Sequence, residues 1–405
     1  MATATQLRLR AALERMGSRA AASGTTSEAS GAWAAHAARS SHDELCGELT
    51  DAGWEQVAPH VHVRTQDADP PAELAASPCL LPEGAERHEC IFYDTETTGF
   101  GGAGVVVFLV GLGWWERGRL RVQQVFLSDY PGERDFLRYI REAASRYGVF
   151  VSYNGKSFDS HVLESRFVLS GMTMAVGYQL DLLHVARRLW RGITADCRLP
   201  TIERHVLGMR RQGDVPGQMV PDLYFDCLRS GSLGRMPEVF EHNRLDVASL
   251  VLLLEAMQRL MAGRDLGVAT DGAALGDMLL QRGRSNAVEV LSSAYQSGDV
   301  EAGRLLSLHH KRACDIDAAL LLWQDMFDRH KSLFAAVELS KHYEHRRRDY
   351  HTALSYLLPY RVLERALGDG SELGKRIARL RRKLDAAAGA AAGGGARSQL
   401  STQSK

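Results

Sequence analysis

The chain has 405 residues, of which 45% are hydrophobic and 24% charged, so two or three globular domains with a substantial core are expected. The formal net charge is zero, which excludes a chain-wide attraction to polyanions but not a local basic groove. Six cysteines without a CxxC pair indicate neither a zinc site nor a disulfide framework, and the longest apolar run, 105–115, is too short to cross a membrane. These features favour a cytoplasmic protein without membrane association.

The first 88 residues are predicted to lie outside any compact domain. Residues 1–50 are expected to form a disordered extension with one helix around 7–16. The Ala-, Ser- and Arg-rich composition of its first forty residues overlaps with that of organellar transit peptides, but disorder is the favoured interpretation. Residues 51–88 are interpreted as a connector with one short strand, which the alternation of Val61 and Val63 indicates.

Residues 89–262 are predicted to form an α/β domain with a mixed sheet flanked by helices. The apolar run from Ile91 ends at Asp94, and two further strands should pair as a hairpin through Gly118. The remaining elements are a strand in "VFVSYN" and helices over 131–146, 157–169, 182–190 and 237–261.

Residues 270–385 are predicted to form an all-α domain, because strand patterns end at about residue 265. An offset of 34 residues aligns Ala302 with Ala336 and Asp315 with Asp349. This is the period of tetratricopeptide helical hairpins, and 273–295 would supply a degenerate first unit. Residues 386–405 are expected to be a disordered tail.

A closing helix of this domain has one strongly basic face. Its apolar stripe includes Leu373 and Ile377, and the opposite face carries Lys375, Arg376, Arg379, Arg381, Arg382 and Lys383. A solvated cap is the expected role, and contact with nucleic acid is the alternative. A second arginine cluster, 187–198, is interpreted equally as a solvated helix face or a surface that contacts phosphates.

The stretch "CIFYDTETTG" places Asp94 and Glu96 two residues apart at the end of a buried strand. Side chains two apart on a strand point to the same face, so these carboxylates would repel each other unless a cation, usually a divalent metal, lies between them. Asp159 falls in the first turn of a later helix, and His242 lies four residues before Asp246 on one helix face. The candidate site is therefore Asp94, Glu96, Asp159 and Asp246, with His242 beside the last.

The three motifs "DTETTG", "YNGKSFD" and "HNRLDV" resemble those of the DEDD 3′–5′ exonucleases of the ribonuclease H-like superfamily. The resemblance is greater to the YprB-like ribonuclease H-like domain proteins, whose intervening segments are similar to "GGAGVVVFLVGLG" and "DLLHVARRLW". It covers roughly residues 89–260, and such proteins often carry tetratricopeptide-like helices after this domain. Three motifs in this order, each at the end of a predicted element, are a specific signal.

The resemblance implies a two-metal hydrolysis of phosphodiester bonds that uses Mg²⁺ or Mn²⁺. Asp94 would bridge two ions about 3.5–4 Å apart, and Glu96 and Asp246 would hold the ion that activates water. Asp159 would act through the second ion, directly or through water. The implied substrate is single-stranded DNA or RNA.

The same resemblance implies roles for the residues around the carboxylates. His242 would take a proton from the attacking water, although members with a catalytic His usually place it five residues before the last Asp, not four. Thr97 and Thr98 would contact the terminal nucleotide. Asn154 and Lys156 would contact phosphate.

Two other functions are compatible with the sequence. The fold could serve a catalytically weak or inactive nucleic-acid-binding protein, or the helical repeats could make the chain an adaptor for a protein partner. Retention of all four carboxylates favours the enzyme. Local alternatives are strand-end acids that cap loops, a surface pair of His242 with Asp246, and Asp181 as the cap of the helix from residue 182.

Overall fold

The computed structural model describes residues 43–68, 79–99, 104–156, 159–360 and 371–399. These residues divide into two compact units. Unit 1 contains 43–68, 81–99, 104–156, 159–182 and 207–255, and unit 2 contains 79–80, 183–206, 256–360 and 371–399. The helix predicted at 7–16 lies outside the described residues.

Unit 1 is built on a mixed seven-stranded sheet in the order β1-β2-β5-β4-β3-β6-β7. The strands are β1 (Glu55–Ala58), β2 (Val61–Ala68), β3 (Cys90–Thr97), β4 (Val107–Glu116), β5 (Arg119–Leu127), β6 (Val149–Ser152) and β7 (Tyr178–Asp181). Pairing is antiparallel from β1 to β3 and parallel from β3 through β6 to β7. The predicted mixed α/β sheet followed by an all-α region is thereby confirmed.

The N-terminal part of the described chain corrects two expectations. Residues 43–51 form helix α1 instead of disordered chain, because Leu45 and Leu49, four residues apart, are buried in the unit 1 core. The segment interpreted as a connector supplies two strands instead of one. They pair with each other, and β2 extends the sheet alongside β5.

The central strands follow the sequence pattern closely. The β4–β5 hairpin turns at Arg117 and Gly118, both with positive φ, as the two-residue turns favoured between twisted strands require. Strand β7 is not among the predicted elements. It has only four residues, and its first, Tyr178, is exposed, so it shows no alternation.

The helices of unit 1 pack their apolar faces on this sheet. They are α2 (Glu133–Ala144), α3 (Asp159–Leu169), α6 (Val220–Ser230) and the first part of α7 (Met236–Met261). Tyr224 of α6 stacks on Phe108 of β4, with ring centroids 4.0 Å apart. This core fixes α7 and the ends of β3 and β6, which carry the candidate site.

The secondary-structure elements of unit 2 are all helices among its described residues. It contains α4 (Leu182–Trp190, from Leu183), α5 (Leu199–Ile202), the end of α7, α8 (Gly272–Gln281), α9 (Ala287–Gln296), α10 (Val300–Arg312), α11 (Ile316–His330), α12 (Leu333–His342), α13 (Tyr350–Ser355) and α14 (Glu372–Gln399). Asp315 and Asp349, which the 34-residue offset aligns, are both N-caps, of α11 and α13. Helix α14 continues to Gln399, beyond residue 386, from which the sequence predicts a disordered tail.

Glu344 is a fully buried carboxylate at the centre of the C-terminal helices. It accepts hydrogen bonds from Arg376 at 3.0 Å, from Arg379 at 2.9 Å and from Lys383 at 2.8 Å. Burial alone would raise its pKa, but the hydrogen bonds from Arg379 and Lys383 outweigh burial and lower the pKa to about 2. Because the folded-state pKa is depressed, this group stabilises the fold above its ordinary pKa near 4.5 and loses that effect as the pH falls towards 2.

We therefore expect Glu344→Gln to lower the free energy of unfolding by about 2 kcal/mol at pH 7 and by much less near pH 2.5. Urea unfolding followed by circular dichroism at pH 7, 5, 3.5 and 2.5 measures this convergence. Exposed Glu289→Gln is the control and should be neutral throughout. An equal loss of stability at all four pH values would show that the charge of Glu344 contributes nothing.

Candidate active site

Three neighbouring elements of unit 1 bring the predicted acidic residues together. Strand β3 carries Asp94 and Glu96 near its carboxyl end, and β6, which runs parallel beside it, leads into α3, whose first residue is Asp159. Helix α7 supplies Asp246. The four carboxyl groups lie close enough to interact electrostatically, as expected from the sequence.

The negative charges of these carboxyl groups repel one another. Burial and then repulsion by Asp246 raise the pKa values of both Asp94 and Glu96 well above their ordinary range. Burial also raises the pKa of Asp159 to about 6, against a hydrogen bond of 2.5 Å from the hydroxyl of Thr95. A buried group of this composition requires a compensating cation to hold its full negative charge at neutral pH.

Asn243 holds Asp94 in place. Its side chain is fully buried, and its Nδ2 donates to Asp94 Oδ2 at 2.9 Å. Its Oδ1 accepts a hydrogen bond of 3.0 Å from Gln124, which also donates to the carbonyl of Phe240. Helix α7 is thereby tied to β5 and to the first acid of the site.

Two glycines of β4 allow α7 to lie directly against the sheet beside Asp94. Gly111 pairs with Asp94, and a Cβ atom there would lie 2.5 Å from Asn243 Oδ1 and 2.7 Å from a methyl group of Val247. A Cβ atom on Gly113 would also lie 2.7 Å from Val247. The segment "GLG" therefore sets the distance between the strand and helix that carry the carboxylates.

We expect Gly111→Ala to destabilise unit 1 by about 1–3 kcal/mol, because Asn243 is fixed by its hydrogen bonds and α7 must move away. Any reaction that needs both carboxylates should slow by more than the loss of stability explains, since the shift separates Asp246 from Asp94. Thermal unfolding and turnover, both measured below the midpoint, check this expectation. Gly47→Ala is the matched control because a Cβ atom there meets nothing within 4 Å. Full activity in Gly111→Ala would contradict this geometry.

His242 projects its Nε2 towards the carboxylates. This atom lies 3.8 Å from Glu96 Oε1 and 3.6 Å from Asp246 Oδ2. The other ring nitrogen, Nδ1, lies 2.5 Å from Asp214 Oδ1. A proton on Nδ1 shared with Asp214 leaves Nε2 as the acceptor that faces the site. The four-residue spacing to Asp246 is therefore compatible with a histidine directed at the acids.

Arg211 provides positive charge within this acidic group. Its guanidinium bonds to Asp214 Oδ2 at 3.2 Å and forms a closer ion pair with Asp246, and only 7% of its side chain is exposed. Among the residues that the structure describes, no three His, Cys, Asp or Glu side chains are arranged ready to hold a metal ion. In this arrangement the guanidinium neutralises Asp246, a role that a metal ion would otherwise take.

The residues predicted to bind substrate lie at or just after the carboxyl ends of β3 and β6. Thr97 donates its hydroxyl to the carbonyl of Gly99 at 2.7 Å, and the hydroxyl of Thr98 accepts a hydrogen bond of 2.9 Å from the Val106 amide. Both hydroxyls therefore stabilise the end of β3. Their contact with a nucleotide stays a prediction.

Asn154 and Lys156 form the turn between β6 and α3. Asn154 adopts a positive φ of 66°, and its amide donates to Asp181 Oδ1 at 2.8 Å. The Lys156 amide donates to Asp181 Oδ2 at 3.3 Å. Asp181, interpreted from sequence as a cap of the next helix, accepts both of these hydrogen bonds from the turn. Contact of Asn154 and Lys156 with phosphate stays a prediction.

The donor set fits hard divalent cations. It consists of carboxylate oxygens, which Mg²⁺ and Mn²⁺ prefer, and includes no thiolate. Sequence reasoning found the acids and His242 but missed the residues that position them: Thr95, Asn243, Arg211 and Asp214. Asn243 lies within the quoted motif "HNRLDV", whereas Arg211 and Asp214 lie in "RRQGDVPG", which has no helical or strand periodicity.

The chain is similar to several known proteins. A family model described as the RNase_H superfamily matches residues 91–258. The uncharacterized protein YprB of Bacillus subtilis (strain 168) is 31% identical over 326 residues, 75% of this chain and 77% of that protein. The family B DNA polymerase of the archaeon Pyrobaculum calidifontis is 16% identical with a TM-score of 0.35, over 48% of this chain and 28% of the polymerase. The superfamily match includes every candidate site residue.

Proposed function

The chain belongs to the YprB family within the RNase H superfamily, and on this premise we propose that it is a metal-dependent 3′–5′ exonuclease of single-stranded nucleic acid. Superfamily membership points to nuclease chemistry on nucleic acid. The observation that carries the more specific proposal is the group of four carboxylates supplied by β3, α3 and α7, with a histidine directed at them.

The four acids are proposed to hold two Mg²⁺ or Mn²⁺ ions. Asp94 faces Asp246 and Glu96, and Asp159 completes the group from α3. The ions, when bound, would supply charge neutralisation of the phosphodiester and a more acidic water. Asn243 keeps Asp94 oriented through its 2.9 Å hydrogen bond.

His242 is proposed as the general base. Its Nε2 would accept a proton from the attacking water, and Asp214 at Nδ1 would stabilise the resulting imidazolium. Arg211 bridges Asp214 and Asp246, so it must release Asp246 before that carboxylate can bind a cation. Once released, its guanidinium would be close enough to the site to contact the substrate phosphate.

The helical region of unit 2 is proposed to be tetratricopeptide-like and to offer a surface for a protein partner. Its support is the 34-residue offset that aligns the two helix caps, Asp315 and Asp349. A cytoplasmic location is proposed, and it agrees with six cysteines, all in described residues, to which no disulfide is assigned. No helix in the described ranges combines the length and hydropathy needed to cross a membrane.

One observation favours a second function. Arg211 pairs with Asp246 and gives that acid a cation without any metal, as a nucleic-acid-binding protein that does not catalyse hydrolysis would allow. The two functions differ in a direct way. The enzyme changes the length of its substrate, and the binding protein does not.

The test is to incubate the protein with 5′-labelled single-stranded DNA and RNA in Mn²⁺, in Mg²⁺ and in EDTA. The proposal predicts a ladder that shortens one nucleotide at a time and disappears in EDTA. A 3′-terminal phosphorothioate should block the ladder, whereas a 5′ one should not. Internal cleavage would reject the exonuclease assignment. Intact substrate in both metals would favour the binding protein.

A further inference from the structure

Unit 2 carries a concentrated positive surface that the proposed active site does not use. We define the basic ridge as Arg346, Arg347, Arg348, Arg379 and Lys383. The first three are exposed and consecutive, in the turn between α12 and α13. Arg379 and Lys383 lie one turn apart on α14, whose basic face the sequence singles out.

Glu344 holds the two parts of the ridge together. This buried carboxylate lies two residues before Arg346 and accepts hydrogen bonds of 2.9 Å from Arg379 and 2.8 Å from Lys383. Arg376 also donates to it, at 3.0 Å. The turn that bears the three arginines therefore starts beside the basic face of α14.

The ridge keeps a large excess of positive charge. Glu344 offsets one of the three bases around it, and no ion pair is made by Arg346, Arg347 or Arg348 among the residues that the structure describes. The nearest acid along the chain, Asp349, caps α13 by accepting from the Thr352 amide. On the other side, exposed Glu372 pairs with Lys375 at 3.0 Å.

The preceding helical repeat shows which features of this turn are structural. The 34-residue offset aligns Cys314 with Arg348, and both have a positive φ, of 62° and 54°. The left-handed residue is therefore part of the turn in both repeats. The side chains are not, because "RRR" at 346–348 corresponds to "RAC" at 312–314. Three consecutive arginines occur in only one of these two aligned turns, and the other has a single arginine, Arg312.

We propose that the basic ridge binds the phosphate backbone of single-stranded nucleic acid. Three consecutive guanidinium groups suit phosphate, which they can contact in a bidentate fashion. Lys383 lies 5.2 Å from the ring centre of Tyr350, so an aromatic side chain accompanies the charges, as is typical of surfaces that bind single strands. The choice of nucleic acid over an acidic peptide rests on the proposed nuclease function.

The test measures binding by fluorescence anisotropy with a labelled 30-nucleotide oligo(dT) and oligo(U), between 50 and 300 mM KCl in EDTA. The proteins are the full chain and its variant Arg346→Ala/Arg347→Ala/Arg348→Ala. Each lost phosphate contact should reduce the slope of log K against log salt by about 0.7, so the variant should lose about 2 in slope and at least about 10-fold in affinity at 100 mM salt.

Two matched variants show whether a loss of binding comes from the missing charge, from misfolding, or from the removal of arginines at any position on unit 2. The variant with lysine at the same three positions should retain most of the affinity, which shows that the turn tolerates substitution. The variant Arg187→Ala/Arg191→Ala/Arg198→Ala removes three exposed arginines from the other basic cluster of unit 2 and should bind like the parent protein. Unchanged binding in the ridge variant, or an equal loss in the control variant, would overturn the proposal.

The outcome is independent of hydrolysis, because binding is measured in EDTA. A protein that binds through the ridge but never shortens its substrate would retain this inference and reject the nuclease. A nuclease whose ridge variant binds normally would do the reverse. Competition by polyglutamate of equal charge, as effective as oligo(U) at the same salt, would reject nucleic acid as the specific ligand.

Discussion

Asp94→Asn should abolish hydrolysis, with a loss on the order of 10³-fold or more, and should at the same time stabilise the metal-free protein. Asp94 lies in the middle of the acidic group, where repulsion by Asp246 and Glu96 opposes its charge. Because its folded-state pKa is raised, its ionisation destabilises the fold as the pH rises above the ordinary value near 4. A neutral amide removes this repulsion and still accepts the hydrogen bond from Asn243.

Thermal unfolding with and without Mn²⁺ measures both effects. In EDTA the variant should unfold about 2–5 °C higher than the parent protein, and Mn²⁺ should stabilise the parent but not the variant. Exposed Asp222→Asn in the same unit is the matched control and should change neither result. A variant that is less stable in EDTA would show that the Asp94 carboxylate is satisfied without a cation, contrary to the proposed metal site.

His242→Ala should reduce turnover by about 10²–10⁴-fold while Mn²⁺ affinity stays within a few-fold of the parent value. The imidazole faces Glu96 and Asp246 at 3.8 and 3.6 Å but is not needed as a metal ligand in the proposed site. Asp214→Asn should reduce turnover by about 10–100-fold, because in the proposed mechanism Asp214 orients the His242 ring and stabilises its imidazolium but does not itself accept the proton. Calorimetric Mn²⁺ titration and single-turnover cleavage separate metal binding from catalysis.

The double variant distinguishes orientation from an independent effect of Asp214. If Asp214 acts through His242, the double variant should be no slower than His242→Ala alone. Multiplicative losses would show that Asp214 acts by another route, of which its 3.2 Å contact with Arg211 is the available one. Arg229→Ala, at an exposed pair on α6, is the control for loss of a surface charge and should retain full activity.

The candidate carboxylates could be predicted from sequence because each lies in an element with a clear local pattern. Asp94 and Glu96 end the buried strand β3, and Asp246 lies on the long helix α7, whose observed start, Met236, is one residue from the predicted one. The glycine in the hairpin turn likewise marks the β4–β5 connection at Gly118. Local patterns of this kind can be recognised in the sequence without knowledge of tertiary contacts.

The residues that position the carboxylates and His242 could not be predicted from the sequence, because their roles depend on contacts between segments that are distant in the chain. Asp214 meets His242 across 28 residues, and Asn243 meets Asp94 across 149. The segment that carries Arg211 and Asp214 has no periodicity to predict its position. The helix at 43–51 was missed for a related reason. Two leucines in a weakly patterned region do not by themselves indicate a helix, and their burial in the unit 1 core is seen only in the folded structure.

The most direct test of the proposed site is anomalous diffraction at the manganese edge from crystals of the protein grown with Mn²⁺. The account predicts two manganese peaks about 3.5–4 Å apart among Asp94, Glu96, Asp159 and Asp246, with Arg211 displaced from Asp246. Crystals with millimolar Mn²⁺ that show no peak at these carboxylates, and Arg211 still paired with Asp246, would contradict it.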